Sequence, residues 1–252
     1  MRKFFYLILL ISLPFLLIGC SRHPNEINSR DDVQGRLIGG LAGTPSLRLA
    51  DEWGTARAFY SESEMMSELR AGIIDCVIME RTTALELVSN TSGVRILSEP
   101  LVEYDLRFAV PMENAQLLDA VNSALEVLAR NGTLRGLSNR YFARGNFTYE
   151  PMEDADQRTS YLTIALPPDS PPFSVREEDG RFVGMDVDVA MAVSDVLEVR
   201  LEVIEYDAWE LATAVWHGRA DLALGWHPGE GEGLISTSEP YASAVHVIIV
   251  RR

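Results

Sequence analysis

Residues 69–79 read Leu69-Arg70-Ala71-Gly72-Ile73-Ile74-Asp75-Cys76-Val77-Ile78-Met79, and the same grammar returns at Trp216-His217-Gly218-Arg219-Ala220-Asp221-Leu222-Ala223-Leu224. In each, a helical segment stops at glycine, two residues pass, and an aspartate opens a short apolar strand. The first helix starts at the capping box Ser61-x-x-Glu64, with Met65, Met66 and Leu69 turned inward. The second starts at Asp207-x-x-Glu210 and runs from Leu211 to His217. A continuously apolar strand such as 75–79 is of the parallel type, buried on both faces. Two αβ units of one grammar, far apart in the chain, predict two similar α/β lobes. Ligands of parallel sheets sit beyond the strand carboxyl ends, so the lobes should face each other across a cleft.

The flanking segments fit this plan. Arg36 to Leu41 forms a strand followed by Ala42-Gly43-Thr44-Pro45-Ser46, where Pro45 suits the first helical position behind a threonine cap. A helix spans Leu117 to Arg130, with Leu117, Leu118, Val121, Leu125 and Leu128 on one stripe. Residues 143–160 are polar, with little periodicity, and read as a linker. Beyond them come the strand 161–166, the loop Pro167 to Phe173, a hairpin turn at Gly180, a helix from Asp186 to Leu197 and the strand 201–204.

Composition removes several classes of function. The chain has 252 residues, a net charge of -15, and a single lysine, Lys3. So acidic a protein lacks the clustered positive charge that nucleic-acid binding needs. With two cysteines, Cys20 and Cys76, it holds neither paired zinc motifs nor a disulfide framework. No metal site and no cofactor are expected.

Arg2 and Lys3 precede an apolar run from Phe4 to Ile18. Fifteen residues reach about 22 Å as a helix, short of a bilayer's roughly 30 Å core, which marks residues 1–19 as a signal peptide. The run ends in Leu17-Ile18-Gly19-Cys20, which resembles the bacterial lipobox, so Cys20 is the expected lipidation site. Cleavage there leaves 20 basic against 37 acidic residues, a net -17 with no lysine. Residues 20–35 read as a lipidated tether, and Cys76 reads as a buried small hydrophobe.

At this point a family resemblance emerges. The stretch 162–251 resembles the first half of the family 3 extracellular solute-binding proteins of ABC importers. The residues that carry it are Tyr161 to Ala165, Ser170-Pro171-Pro172-Phe173, Gly184-Met185-Asp186-Val187-Asp188-Val189-Ala190, Gly218 to Leu222 and Ser238-Glu239-Pro240-Tyr241. The stretch 27–142 resembles the second half, through Asp32 to Arg36, Ala42-Gly43-Thr44, Gly72 to Asp75, Ser98 to Leu101 and Asn131-Gly132-Thr133. The halves stand in reversed order, as in a circular permutant. The resemblance implies a two-lobed periplasmic-binding-protein-like (type II) α/β fold with a central cleft. Its smaller lobe is expected at 36–104, its larger lobe at 105–252 including the linker 143–160, and its hinge near Glu99–Arg107.

It further implies an extracytoplasmic protein, lipid-anchored by the lipobox reading, that takes a small polar, amino-acid-like or amine-bearing ligand and passes it to a permease. Glu80 matches the acidic residue that receives the ligand's ammonium group. Thr44 and Ser46 match hydroxyls at a helix N-terminus, where exposed amides favour a carboxylate. Asp169 offers a second acceptor, and Phe173, Trp226 and His227 lie toward the cleft. Family members usually place a carboxylate-gripping arginine after the strand 221–224. Here that loop reads Gly225-Trp226-His227-Pro228-Gly229-Glu230-Gly231-Glu232-Gly233, without one. Two readings compete with transport: a cleft enzyme of the dehydratase type using His227, Asp169 and Glu80 as acid and base, and a sensor without a permease.

Overall fold

The computed structural model describes residues 27–42, 44–143, 145–207, 210–225 and 233–252. The expected signal peptide, residues 1–19, and the expected lipidation site Cys20 lie outside the described residues.

The chain enters through a short 3-10 turn at Asp31–Val33. It then alternates strand and helix: β1 Leu37–Leu41, α1 Pro45–Trp53, β2 Thr55–Phe59, α2 Glu62–Ala71, β3 Cys76–Glu80 and α3 Arg81–Asn90. Two short strands follow, β4 Val94–Ile96 and β5 Val102–Leu106, and then β6 Ala109–Pro111. Next come α4 Ala115–Arg130 and α5 Thr133–Phe142, and after the 143–160 segment β7 Tyr161–Leu166. A small hairpin sheet holds β8 Asp169–Ser170, β9 Ser174–Arg176 and β10 Phe182–Val183. The remainder is α6 Met185–Val196, β11 Arg200–Glu205, α7 Leu211–Trp216, β12 Leu222–Ala223, β13 Ile235–Thr237 and β14 Ala242–Arg251.

The expected two-lobed α/β fold is the observed one. One sheet runs β2-β1-β3-β14-β4, with β5 also on β14; the other runs β11-β7-β12-β6-β13. The orders are equivalent. In each, the second, first and third strands of a lobe are followed by a strand that has crossed from the other lobe. That strand lies antiparallel to the third: β14 on β3, β6 on β12. The lobes therefore exchange one strand apiece.

This exchange corrects the expected boundary. A larger lobe running unbroken from 105 to 252 does not describe β14, whose residues 246–250 pair with Glu80 to Cys76. The crossing is also double, through β5–β6 and through β14, rather than confined to 99–107. Where residues 20–35 were expected to form a tether, Ile27 and Val33 are buried in the smaller lobe's core. The chain has begun to pack by residue 27.

Local sequence explains the elements. Ser61 Oγ accepts from Glu64 N–H to start α2, and Gly72, at φ 72°, ends it in the left-handed conformation glycine adopts freely. The strand 76–80 is continuously apolar because both faces are covered. Cys76 and Ile78 pack toward α1, while Val77 and Met79 pack with Met65, Met66 and Leu69 of α2. Ile248 and Val250 against Val247 and Ile249 divide β14 the same way. The repeated aspartate has a structural role: Asp75 Oδ2 accepts from Leu37 N–H at 3.0 Å, and Asp221 Oδ2 from Thr163 N–H at 2.8 Å. Each ties the start of a lobe's third strand to the start of its first. At the start of α7, Glu210 occupies the cap position and its N–H donates to Asp207 O at 2.8 Å.

The 143–160 segment is docked along the larger lobe. Arg158 Nη1 meets Asp195 Oδ1 at 2.9 Å, and Tyr149 Oη donates to Asp195 Oδ2 at 2.6 Å. Cys76 is fully buried, and burial pushes its thiol up to about 12, as befits an inert core residue.

Candidate functional site

Four elements converge where the lobes meet. The smaller lobe brings the carboxyl end of β3, the N-terminus of α1 and the middle of β14; the larger brings the turn between β8 and β9. Their residues Thr44, Ser46, Glu80, His246, Pro171 and Phe173 line one recess of only about 10 Å³, room for roughly a single water. A second recess of about 190 Å³ opens beside it, between Leu41, Thr44, Tyr60 and Glu62 on one side and Asp169 and Pro171 on the other. The lobes also touch where Thr82 Oγ1 donates to Phe142 O at 3.4 Å. Among the described residues, the first recess is thus narrow and opens beside a wider one.

Close backbone approach sets up the α1 corner. A Cβ on Gly40 would stand 2.6 Å from Leu47 Cα, so glycine lets α1 start directly against β1. Thr44 occupies the cap position in extended conformation with Pro45 after it, as the sequence predicts. Its hydroxyl, however, turns back to donate to Leu41 O at 2.9 Å. The first turn of α1 therefore has no side-chain cap, and its positive end faces the recess beside the buried Ser46.

Glu80 closes β3 and is 5% exposed. Its Oε2 accepts from the N–H groups of Thr82 at 2.7 Å and Thr83 at 3.2 Å, so it caps α3 while lining the recess. Burial raises its carboxyl above the usual range; the hydrogen bonds from Thr83 and Thr82 oppose that. Glu62, which borders both recesses, is also raised, by burial and then by Glu86.

Asp169 is exposed and sits at the mouth, on the larger lobe's side. Phe173 is 3% exposed, belongs to the larger lobe's core, stands 6.1 Å from Phe142 ring to ring, and still lines the recess. Packing and lining coincide in that residue. Trp226 and His227 lie outside the described residues. Of the predicted set, Thr44, Ser46, Glu80 and Phe173 share one recess, and Asp169 lies at its mouth.

Sequence reasoning missed His246, Tyr60 and Glu62. Tyr60 is 91% exposed at the mouth. His246 is fully buried, and its ring stacks on Tyr104 with centroids 5.6 Å apart. Burial and the Arg48 charge hold its imidazole down to about 3. A lone histidine in the apolar run Ala244 to Val250 was the available signal.

Behind Phe173, a Cβ on Gly184 would meet Phe173 O at 2.2 Å, which requires glycine in the motif Gly184-Met185-Asp186. Asp186 is wholly buried, accepts from Tyr241 Oη at 2.7 Å, and has its carboxyl pushed up to about 7 by burial.

Residues 162–252 match the bacterial extracellular solute-binding proteins, family 3. A stretch of 140 residues is 30% identical to the L-cystine-binding protein TcyJ of Escherichia coli (strain K12), covering 52% of this chain and 53% of that protein. Over 125 residues it is 23% identical to the probable amino-acid-binding protein YxeM of Bacillus subtilis (strain 168), 46% of this chain and 47% of the relative. The unliganded, open L-cystine solute receptor of Neisseria gonorrhoeae aligns over 29% of this chain and 30% of that one, at 26% identity and a TM-score of 0.25. The chain spans about half the length of the curated relatives it matches.

Proposed function

We propose, from the match of residues 162–252 to the bacterial extracellular solute-binding proteins of family 3, that the chain binds a small polar, amino-acid-like ligand between its lobes for an ABC importer. The observation that carries this reading is one recess holding both ends of a zwitterion's requirements. Glu80 supplies a desolvated carboxylate for an ammonium group, and the uncapped N-terminus of α1 with Ser46 supplies a positive end for an anion. Phe173 brings an apolar wall from the opposite lobe, so closure surrounds the ligand. In this reading Asp169 and Tyr60 guard the mouth, and Trp226 and His227 remain candidate contacts. A diacyl anchor on Cys20 would hold the protein outside the cytoplasm.

The chain order is read as a circular permutation of the family's. Two contacts support this: Arg95 donates to Ile27 O and Asn28 Oδ1, and Arg252 donates to Gly93 O and Val94 O. Residues 27–28 and Arg252 thus both bond to the segment 93–95. The 143–160 segment then joins the ancestral ends.

The test is a thermal-shift panel on residues 27–252, using L-cystine, the standard L-amino acids and their matching primary amines. A ligand at 100 times its Kd stabilises by about 2.7 kcal/mol. At least one amino acid should raise Tm. A flat panel refutes the reading.

A further inference from the structure

His246 is an unusual residue to find on β14. It is fully buried, and among the described residues neither ring nitrogen has a hydrogen-bond partner. A buried polar atom left unpaired is costly, and native structures carry few without a reason. The Tyr104 stack accounts for the ring's face and leaves its nitrogens unaccounted for.

Position supplies the reason. His246 stands opposite Glu80 in the antiparallel β14–β3 register, so the two side chains project from the same face of the sheet. Directly opposed residues have Cβ atoms about 4.5–5.5 Å apart. Both line the recess that holds Ser46 and the start of α1. β14 is also one of the two strands that cross between the lobes. An opening motion about those strands would uncover the imidazole together with Glu80.

We propose that His246 is a ligand-contacting, specificity-determining residue. Its ring N–H donates to the carboxylate of an α-amino acid whose ammonium group is held by Glu80, and the N-terminus of α1 faces the same carboxylate. This rests on the amino-acid reading above and deepens it. The loop after β12 has no arginine, and His246 supplies a carboxylate contact from the crossing strand instead. A neutral imidazole suits a site this buried: it offers a directed donor without the cost of burying a cation. The ligand class is therefore the zwitterionic α-amino acid, not the free amine.

The experiment compares wild type, His246→Phe and His246→Gln by isothermal titration. The probes are the best amino acid from the panel and the amine formally derived from it by loss of CO2. Wild type should prefer the amino acid. His246→Phe should lose that preference by about tenfold, the weight of one hydrogen bond to a charged group, while binding the amine no worse. His246→Gln, which keeps an N–H donor, should restore part of it. An unchanged preference in His246→Phe overturns the proposal and leaves the amino-acid reading standing. Failure of wild type to bind any panel compound overturns both. If His246→Phe does not fold, 15N-histidine spectra of wild type decide. Ring-nitrogen shifts of His246 on adding the amino acid, and not on adding the amine, support the contact; equal or absent shifts refute it.

Discussion

Asp221 takes both the N–H and the hydroxyl of Thr163, at 2.8 and 2.6 Å, while Thr163 O takes the Asp221 N–H at 3.0 Å. Asp75 and Leu37 repeat the backbone part of this lock in the other lobe, 3.0 Å one way and 2.8 Å the other. Asp221→Ala removes the acceptor and leaves a part-buried amide and hydroxyl without it, at a cost of about 1–3 kcal/mol. Asp221→Asn keeps an acceptor and should lose less. Urea denaturation midpoints check the order: wild type, then Asn, then Ala.

Arg251 closes the exchanged strand onto α2, donating through Nη1 to Leu69 O at 2.8 Å and Ile74 O at 2.9 Å. These carbonyls flank the left-handed Gly72, and a Cβ there would stand 3.3 Å from the guanidinium. Gly72→Ala forces an L side chain into positive φ and should destabilise by about 1 kcal/mol. Leu69→Ala, at a fully buried site, should cost about 2–5 kcal/mol. Thermal denaturation should rank the losses in that order.

Asp186 predicts a pH dependence with a definite sign. Its folded carboxyl sits at about 7 against an ordinary 3.8, so between those values the folded state holds a proton that the unfolded state has released. The site's contribution is complete below about pH 4 and is lost as pH rises through 7, by roughly 4 kcal/mol at most. Asp186→Asn removes the titration. The stability difference between wild type and Asp186→Asn, followed from pH 4 to 8, should move against wild type as pH rises. A difference constant over that range refutes the assignment.

The chain order makes a prediction of its own. A rearranged gene that joins Arg252 to Ile27 through a short Gly/Ser connection and opens the chain between Gly145 and Thr159 should fold and give the same ligand profile. A monomeric mass and the same panel response are the expected results. A swapped dimer that binds only as a dimer would contradict the reading.

Much of this architecture was legible because its determinants are local. The Gly-x-x-Asp repeat announced two equivalent lobes, since the glycine ends a helix and the aspartate grips the neighbouring strand within one motif. The capping box at Ser61 and the stripe of α4 were equally local. What escaped was non-local. Nothing in Ala242–Arg251 says which sheet receives it, because a doubly covered strand reads the same in either lobe. Thr44 was legible as a cap position, but not the turn of its hydroxyl back to Leu41 O. The recess was half legible: Glu80 and Ser46 follow from strand ends and helix starts, and by the same rule Tyr60 after β2 and Glu62 at the start of α2 were available, whereas His246 enters by strand exchange.

The central claim is that Glu80 holds a ligand's ammonium group in the cleft. Titration of Glu80→Gln with the best amino acid of the panel tests it directly, since the amide can still accept hydrogen bonds from Thr82 and Thr83 yet carries no charge. A charge-assisted contact in a buried site is worth about 1.5–3 kcal/mol, so the account predicts at least a tenfold weaker Kd with the fold intact. An unchanged Kd in a folded Glu80→Gln protein would contradict it.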